Sequence, residues 1–481
     1  MSAVALRNGA LRLTHGELGA HRPKRTTTAA LRPTHQDGER RRGIPGMPSS
    51  PGKRQHRMTT PGKAPQFLFD HYGSRGDVIP LLSIAGELVR RGHSCHLLAN
   101  EHFRAEALER GVGFSASTQL HTNPVGPCSY KVDEYMFRTF DGVRGYFERA
   151  NASGVDTVVV NTEDWAASEP FAEARCLRTV RLHIVPLRIR SLLSPAWPLC
   201  AFAAGPQGEE FLRVKLPALY RAYDANPKVL GRINAVRARV GLPPVRDASY
   251  RRPHLVAQAA LFPDWFGTPA PDWPPMECLG FPLPQAQAAL PARLLEFLER
   301  VRPPLVFTPG TSVGETEAFF EAAASCCAQL GLPGIFLSPF LRRRDFGPSI
   351  AHFEHIELQC LLRHAALLVH HGGIGTAARA LEAGIPQVIS PVRFDQPDNA
   401  RRVQLLGVGG VVQRAELTGA TLAAAIRPLL GDPALQARLA HYRTALAGAK
   451  AIERSAELLE HVARCCPRPG STSTETRAAA E

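Results

Sequence analysis

The 481-residue chain predicts an α/β protein built from two doubly wound halves, and three observations carry that expectation. Short apolar stretches alternate with helical periodicity from Gln66 to about Leu283. After a proline-rich break the same alternation resumes at Leu305. Each half also sets a glycine turn between a strand and a helix, as GSRGD at 73–77 and as HHGGIGT at 370–376. Such a length is too great for one ordinary domain and comfortable for two, and 44% hydrophobic residues can fill two cores.

Residues 1–63 stand apart. They hold 13 Lys/Arg against three acids (Glu17, Asp37, Glu39), are rich in Arg, Thr, Pro and Gly, and lack periodic apolar positions. A disordered leader is expected there, with translation starting at Met58 or Met47. Most of the formal charge of +14 sits in this segment, and the rest of the chain carries 44 basic and 40 acidic residues. That balance makes no case for a nucleic-acid groove. The N-terminal half, 64–285, is expected to run through strands at Gln66 to Phe69, Cys95 to Leu98, Thr157 to Val160 and Val180 to Val185. PLPQAQAALP (282–291) and VRPP (301–304) bracket a helix-like LLEFLERV, giving a linker at 286–303. The C-terminal half, 304–465, opens on a strand at Leu305 to Thr308. It closes with a helix after Asp432-Pro433 and another ending near Val462. A disordered tail is expected at 466–481.

The glycine turn of the C-terminal half has the chemistry of an anion site. An apolar strand, Ala365 to Val369, runs into His370 and His371, then Gly372, Gly373 and Gly375, then a helix from Thr376 that Gly384 ends. Glycines let the backbone approach a ligand, and the free amides and dipole of a helix start face negative charge. A second strand, Gln387 to Val392, delivers Asp395 and Gln396, a carboxylate and an amide suited to sugar hydroxyls. Diphosphate on one side and polyol on the other describe a nucleotide sugar. FTPGTS, at the end of the Leu305 strand, adds Gly310 and Thr311 where they can touch phosphate.

In the N-terminal half, strand-like Gln66 to Phe69 leads through HYGSRGDVIP into a helical pattern with apolar Leu81, Leu82, Ile84, Ala85, Leu88 and Val89. Asp77 stands where a side-chain oxygen caps helix amides, and it is also the candidate general base. His71 is the spare candidate.

These residues also carry a resemblance. HHGGIGT with DQPDN beyond the next strand resembles the donor-binding signature of family 1 glycosyltransferases, inverting enzymes of the GT-B fold that use UDP- or dTDP-sugars. The resemblance implies two Rossmann-like domains facing a cleft and no metal or other cofactor. It also implies that His370 touches the diphosphate, that the Gly372, Gly373, Gly375 and Thr376 amides hold it with Ser74 nearby, and that Asp395 and Gln396 hold the hexose. GSRGD followed by Val-x-Pro is similar to the opening of bacterial members acting on antibiotics, sterols and lipids. There Asp77 occupies the place of the catalytic histidine of plant relatives. RINAVRARVGLPPV (232–245), LFPDWFGTPAPDWP (261–274) and LGFPL (279–283) resemble bacterial rhamnosyltransferases acting on hydroxyacyl lipids. The stretch HIELQCLLRH (355–364) lacks the proline turn that relatives place under the nucleobase, which leaves UDP against dTDP open.

The expected partners are a UDP- or dTDP-sugar and a hydrophobic hydroxylated acceptor, with no nucleic acid. Two alternatives stand beside this: a catalytically silent partner protein, and a sugar-nucleotide epimerase on the same fold. An NAD enzyme is disfavoured, because no GxGxxG follows a strand with an acid about 20 residues later. The aromatic, apolar stretch at 186–225, with Trp197, Phe202 and Phe211, reads equally as acceptor wall or ordinary core. Ten cysteines with no paired spacing suggest scattered, mostly buried thiols in a reducing compartment. No stretch approaches the ~20 apolar residues of a membrane span, so a cytoplasmic protein is expected, at most peripheral to a membrane.

Overall fold

The computed structural model describes residues 65–118, 143–148, 156–162, 168–310, 316–466 and 468, apart from 72, 74, 251, 286, 287 and 344, and two short strands at 5–7 and 10–12. Apart from those two strands, which pair antiparallel, the expected leader lies outside the described residues, as does the expected tail beyond 468.

Two parallel sheets organise the rest. The first contains β1 (Gln66–Asp70), β2 (Ser94–Asn100), β3 (Gly113–Thr118), β4 (Thr157–Asn161), β5 (Arg178–His183), β6 (Leu255–Ala260) and β7 (Glu277–Cys278). Their order is β3-β2-β1-β4-β5-β6-β7, all parallel. The second contains β8 (Leu305–Thr308), β9 (Gly334–Leu337), β10 (Ile350–Phe353), β11 (Leu367–His370), β12 (Gln387–Ile389) and β13 (Gly409–Val411), in the order β10-β9-β8-β11-β12-β13. Both sheets are doubly wound. In such sheets ligands occupy the crevice at the carboxyl ends of the strands where the order reverses, here between β1 and β4 and between β8 and β11. Parallel strands bury both faces, and β4 and β5 are buried along their whole length.

Several boundaries move from the sequence expectation. The strand into the histidines runs to His370 rather than ending at Val369, and the next one stops at Ile389, short of Val392. β5 begins two residues early, at Arg178, and ends at His183 rather than Val185. Helix α1 (Arg75–Arg90) starts inside the GSRGD turn, so Asp77 lies in its first turn rather than ahead of it. Pro80 sits within α1, where its missing N–H costs one helical bond.

Helices α2 (Ile374–Ala383) and α3 (Gln396–Leu405) follow β11 and β12, and α4 (Ala451–Cys465) ends the described fold. By chain position α4 follows the second sheet, yet it packs on the first. Its Ala456, Leu459 and Val462 share one core with Phe67, Phe69, Leu81 and Leu88. That core continues through Ile374, Ala377 and Leu381 of α2. Arg178 donates to the carbonyls of Ala463 (2.8 Å) and Cys466 (2.9 Å), satisfying orphan acceptors at the end of α4. Glu460 accepts from Arg91 (3.2 Å) and faces His93 Nε2 at 2.9 Å.

Of the nine cysteines described as free, only Cys95, Cys326 and Cys327 are buried, fewer than expected; burial pushes their thiols up to about 12, 11 and 12. Among the described residues no helix is long and apolar enough to cross a membrane.

Candidate functional site

The ends of β8 and β11 build one wall. Thr308 pairs in register with His370, so the turns that follow these strands stand side by side. Gly310 takes φ +81°, a left-handed conformation that suits glycine, and a Cβ there would lie 2.6 to 2.8 Å from the ring of His371. On the other side of that ring, His371 Nε2 is 2.6 Å from where a Cβ on Gly373 would stand. Gly373 is the residue that starts α2. His371 is therefore held between two glycine turns at a helix N-terminus. Burial pushes its imidazole down to about 4, against a smaller opposing effect of the Thr308 backbone, and its Nδ1 is buried without a hydrogen-bond partner. It is therefore neutral at pH 7.

His370, expected to touch the diphosphate, lies deeper than its neighbour. It is 0% exposed, and both ring nitrogens are engaged. The Gly372 N–H donates to Nδ1 (3.1 Å), so the neutral ring carries its proton on Nε2, which donates to Gln387 Oε1 (2.8 Å). Burial, with His371 alongside, pushes it down to about 3 against the bond to Gln387. No edge is left for a phosphate. His370 braces the turn; His371, the next residue, is partly exposed.

Asp395 and Gln396 are brought to the same wall, at the start of α3. Asp395 Oδ2 accepts from Asn399 Nδ2 (2.7 Å), and the same amide group donates to the Gly372 carbonyl (2.9 Å), tying the acid to the glycine turn. Gln396 departs from expectation in part. Its Oε1 already accepts from the amides of Val392 (2.9 Å) and Arg393 (3.0 Å), so it can offer a sugar only its NH2, as a donor.

The facing wall comes from the first sheet. A Cβ on Gly375 would stand 3.9 Å from the Gly76 Cα, so the starts of α2 and α1 nearly meet. Asp77 lies in that first turn of α1, half-buried, with its Oδ2 only 2.5 Å from where a Cβ on Gly73 would be. Asp395 senses the charge of Asp77. Burial first, and the Asp77 carboxylate second, push Asp395 up to about 6; the Asn399 bond and the Arg188 charge oppose this. Arg188, exposed on the turn Pro186–Arg188, is a site neighbour that sequence reasoning missed. Nothing in its local sequence marks it, since only the fold carries it to Asp395.

His71 is 5% exposed and pairs through Nδ1 with the Thr162 hydroxyl, so it is part of the interior. Gly372 and Thr376 lie on the same turn and helix start as His371. Ser74 and Thr311 lie outside the described residues. The site thus comprises a carboxylate on one helix start, a second helix start with open amides and a neutral histidine, and a coupled acid–amide pair beside it.

Comparison with known proteins agrees with the two-sheet fold. Residues 344–458 match the family model described as erythromycin biosynthesis protein CIII-like, C-terminal domain. The chain is 27% identical over 441 residues to the O-mycaminosyltylonolide 6-deoxyallosyltransferase of Streptomyces fradiae, covering 81% of this chain and 95% of that one. It superposes on the crystal structure of a calicheamicin glycosyltransferase with a TM-score of 0.60 at 20% identity, over 84% of this chain and all of the other. A spinosyn rhamnosyltransferase complexed with thymidine diphosphate superposes with a TM-score of 0.56 at 17% identity, over 82% and 100%.

Proposed function

We propose that this chain, a glycosyltransferase of the GT-B fold, moves a hexose or deoxyhexose from a UDP- or dTDP-sugar to a hydroxyl of a small hydrophobic acceptor, with inversion. The observation that carries the reading is the meeting of two helix starts, one bearing Asp77 and the other the His371 turn, with Asp395 coupled to Asp77 across the gap. A single in-line displacement needs those parts in that arrangement. Asp77 takes the proton from the acceptor hydroxyl as its oxygen attacks the anomeric carbon. The bond to the diphosphate breaks, and the charge that develops on the leaving oxygen faces the α2 amides and the His371 N–H. Asp395 and the Gln396 NH2 hold the sugar hydroxyls. The nucleoside is proposed to be thymidine, as in the spinosyn enzyme's complex, and the acceptor a lipid or secondary metabolite. Rhamnosyl transfer to a hydroxyacyl lipid is the sharpest form of the reading. With such an acceptor the enzyme would work in the cytoplasm, touching a membrane only peripherally.

The test is sugar consumption and product mass from UDP-glucose and dTDP-rhamnose, each with hydroxyacyl lipids and with macrolide aglycones. Acceptor-dependent release of nucleoside diphosphate is the expected result. Absence of transfer from either donor to every acceptor rejects the reading.

Asp395 adds a pH dependence of known sign. Its carboxyl titrates near 6, so above that pH it is an ionised acceptor for sugar hydroxyls, and below it the charge is lost. His370 and His371, at about 3 and 4, stay neutral through this window. Calorimetry should show sugar-nucleotide affinity falling about tenfold as pH drops from 7 to 5, the difference between a charged and a neutral hydrogen bond. Asp395→Asn should bind more weakly and flatten that limb. A wild-type affinity that is level between pH 5 and 7 would remove Asp395 from the sugar subsite.

A further inference from the structure

The loop that leads into Asp395 contains a feature the mechanism does not use. Phe394 has φ +58°, a left-handed conformation that is strained for a bulky L-residue. Its ring is also 63% exposed, so the strain is not repaid by burial in the core. The loop is nevertheless held firmly. Gln396 Oε1 accepts from both the Val392 and Arg393 amides, and the Arg393 guanidinium lies 5.1 Å from the Phe394 ring centroid. A strained residue that its surroundings hold in place, next to a candidate binding acid, is the pattern expected of a residue kept for what it touches.

The other side of the same corner is apolar too. The Trp197 amide donates to Asp398 Oδ1 (2.9 Å), in the first turn of α3, one helical turn beyond Phe394. Trp197 is partly exposed, and so is Phe202 on the short helix Leu199–Ala203. Val392, two residues before Phe394, is exposed as well. The Trp197 main chain is thus held against the first turn of α3, and the exposed Val392 and Phe394 lie just before that helix.

We propose that Phe394 is a specificity-determining residue, an aromatic platform for the apolar body of the acceptor. The assignment rests on the glycosyl-transfer reading above. An acceptor contact suits Phe394 better than a donor contact. The sugar is assigned to Asp395 and Gln396, which are half-buried and buried, whereas Phe394 stands outside them at the solvent edge. An exposed aromatic face gains most from covering apolar surface, and the occupant it fits is a hydrophobic alcohol.

The experiment compares wild type with Phe394→Gly and Phe394→Trp, using dTDP-rhamnose and whichever member of a 3-hydroxydecanoate and macrolide-aglycone panel the wild type glycosylates. Phe394→Gly is expected to raise the acceptor KM about tenfold while leaving the calorimetric Kd for the sugar nucleotide unchanged. Phe394→Trp is expected to keep the acceptor KM within about threefold. Because glycine relieves the left-handed conformation, the Tm of Phe394→Gly should not fall. An unchanged acceptor KM overturns the proposal, and so does an equal loss of donor affinity, which would make Phe394 a sugar contact. A Tm several degrees lower would make the ring a structural element instead. If the wild type transfers to no member of the panel, the glycosyl-transfer reading fails and this inference falls with it.

Discussion

Asp77→Asn is expected to lower kcat by about 10² to 10⁴ while the sugar nucleotide still binds, the range for loss of a positioned general base. The substitution is informative because the structure gives Asp77 two roles. It sits in the first turn of α1, where a carboxylate complements the helix dipole by about 0.3–1 kcal/mol, and it faces Asp395 across the gap. Asparagine keeps the shape and the capacity to accept an amide N–H, and it removes the proton affinity. A purely structural Asp77 therefore predicts a folded, slightly less stable and fully active variant. A base predicts a folded and nearly inert one. The decisive measurement is kcat by nucleoside diphosphate release, with calorimetry of the donor alongside. Near-wild-type turnover would leave Asp77 as a helix-start residue and leave the base unassigned, since His71 is buried against Thr162.

His371→Ala is expected to reduce kcat by about 10² to 10³, the loss seen when one preorganised donor to a developing anion is removed. The companion change, His370→Ala, should appear in stability first. It opens a void in a fully buried position and strips partners from the Gly372 amide and Gln387, costing on the order of 2–4 kcal/mol in denaturant unfolding. The pair separates a ligand from its support. If His370→Ala proved the more damaging to turnover in protein that remains folded, with His371→Ala close to wild type, the two roles would have to be exchanged.

That exchange is the point at which sequence reading reached its limit. The strand, the glycines, the helix and the Asp-Gln pair were legible because each has a local signature in residue type and spacing. Which of two adjacent histidines keeps its ring inside was not, because side chains alternate along a strand and an end-point error of one residue reverses the answer. The strand runs on to His370, which pairs with Thr308 and keeps its ring inside; His371 is the first residue to leave the sheet. Gln396 shows a similar limit. An amide before a helix reads as a sugar ligand, yet its oxygen is occupied by the two amides of its own loop. Arg188 was invisible for a third reason: it approaches Asp395 only through the packing of the two halves.

The return of α4 to the first sheet has a consequence for how the chain matures. The back of the first half, around Phe67, Leu81 and Leu88, is covered by Ala456, Leu459 and Val462, almost 400 residues further along. During synthesis that surface emerges well before the helix that covers it. The buried Arg178 waits with it, since the carbonyls it bonds belong to the same late helix. The two halves cannot mature one after the other as separate modules, and the last helix acts as the clasp that lets the first one finish.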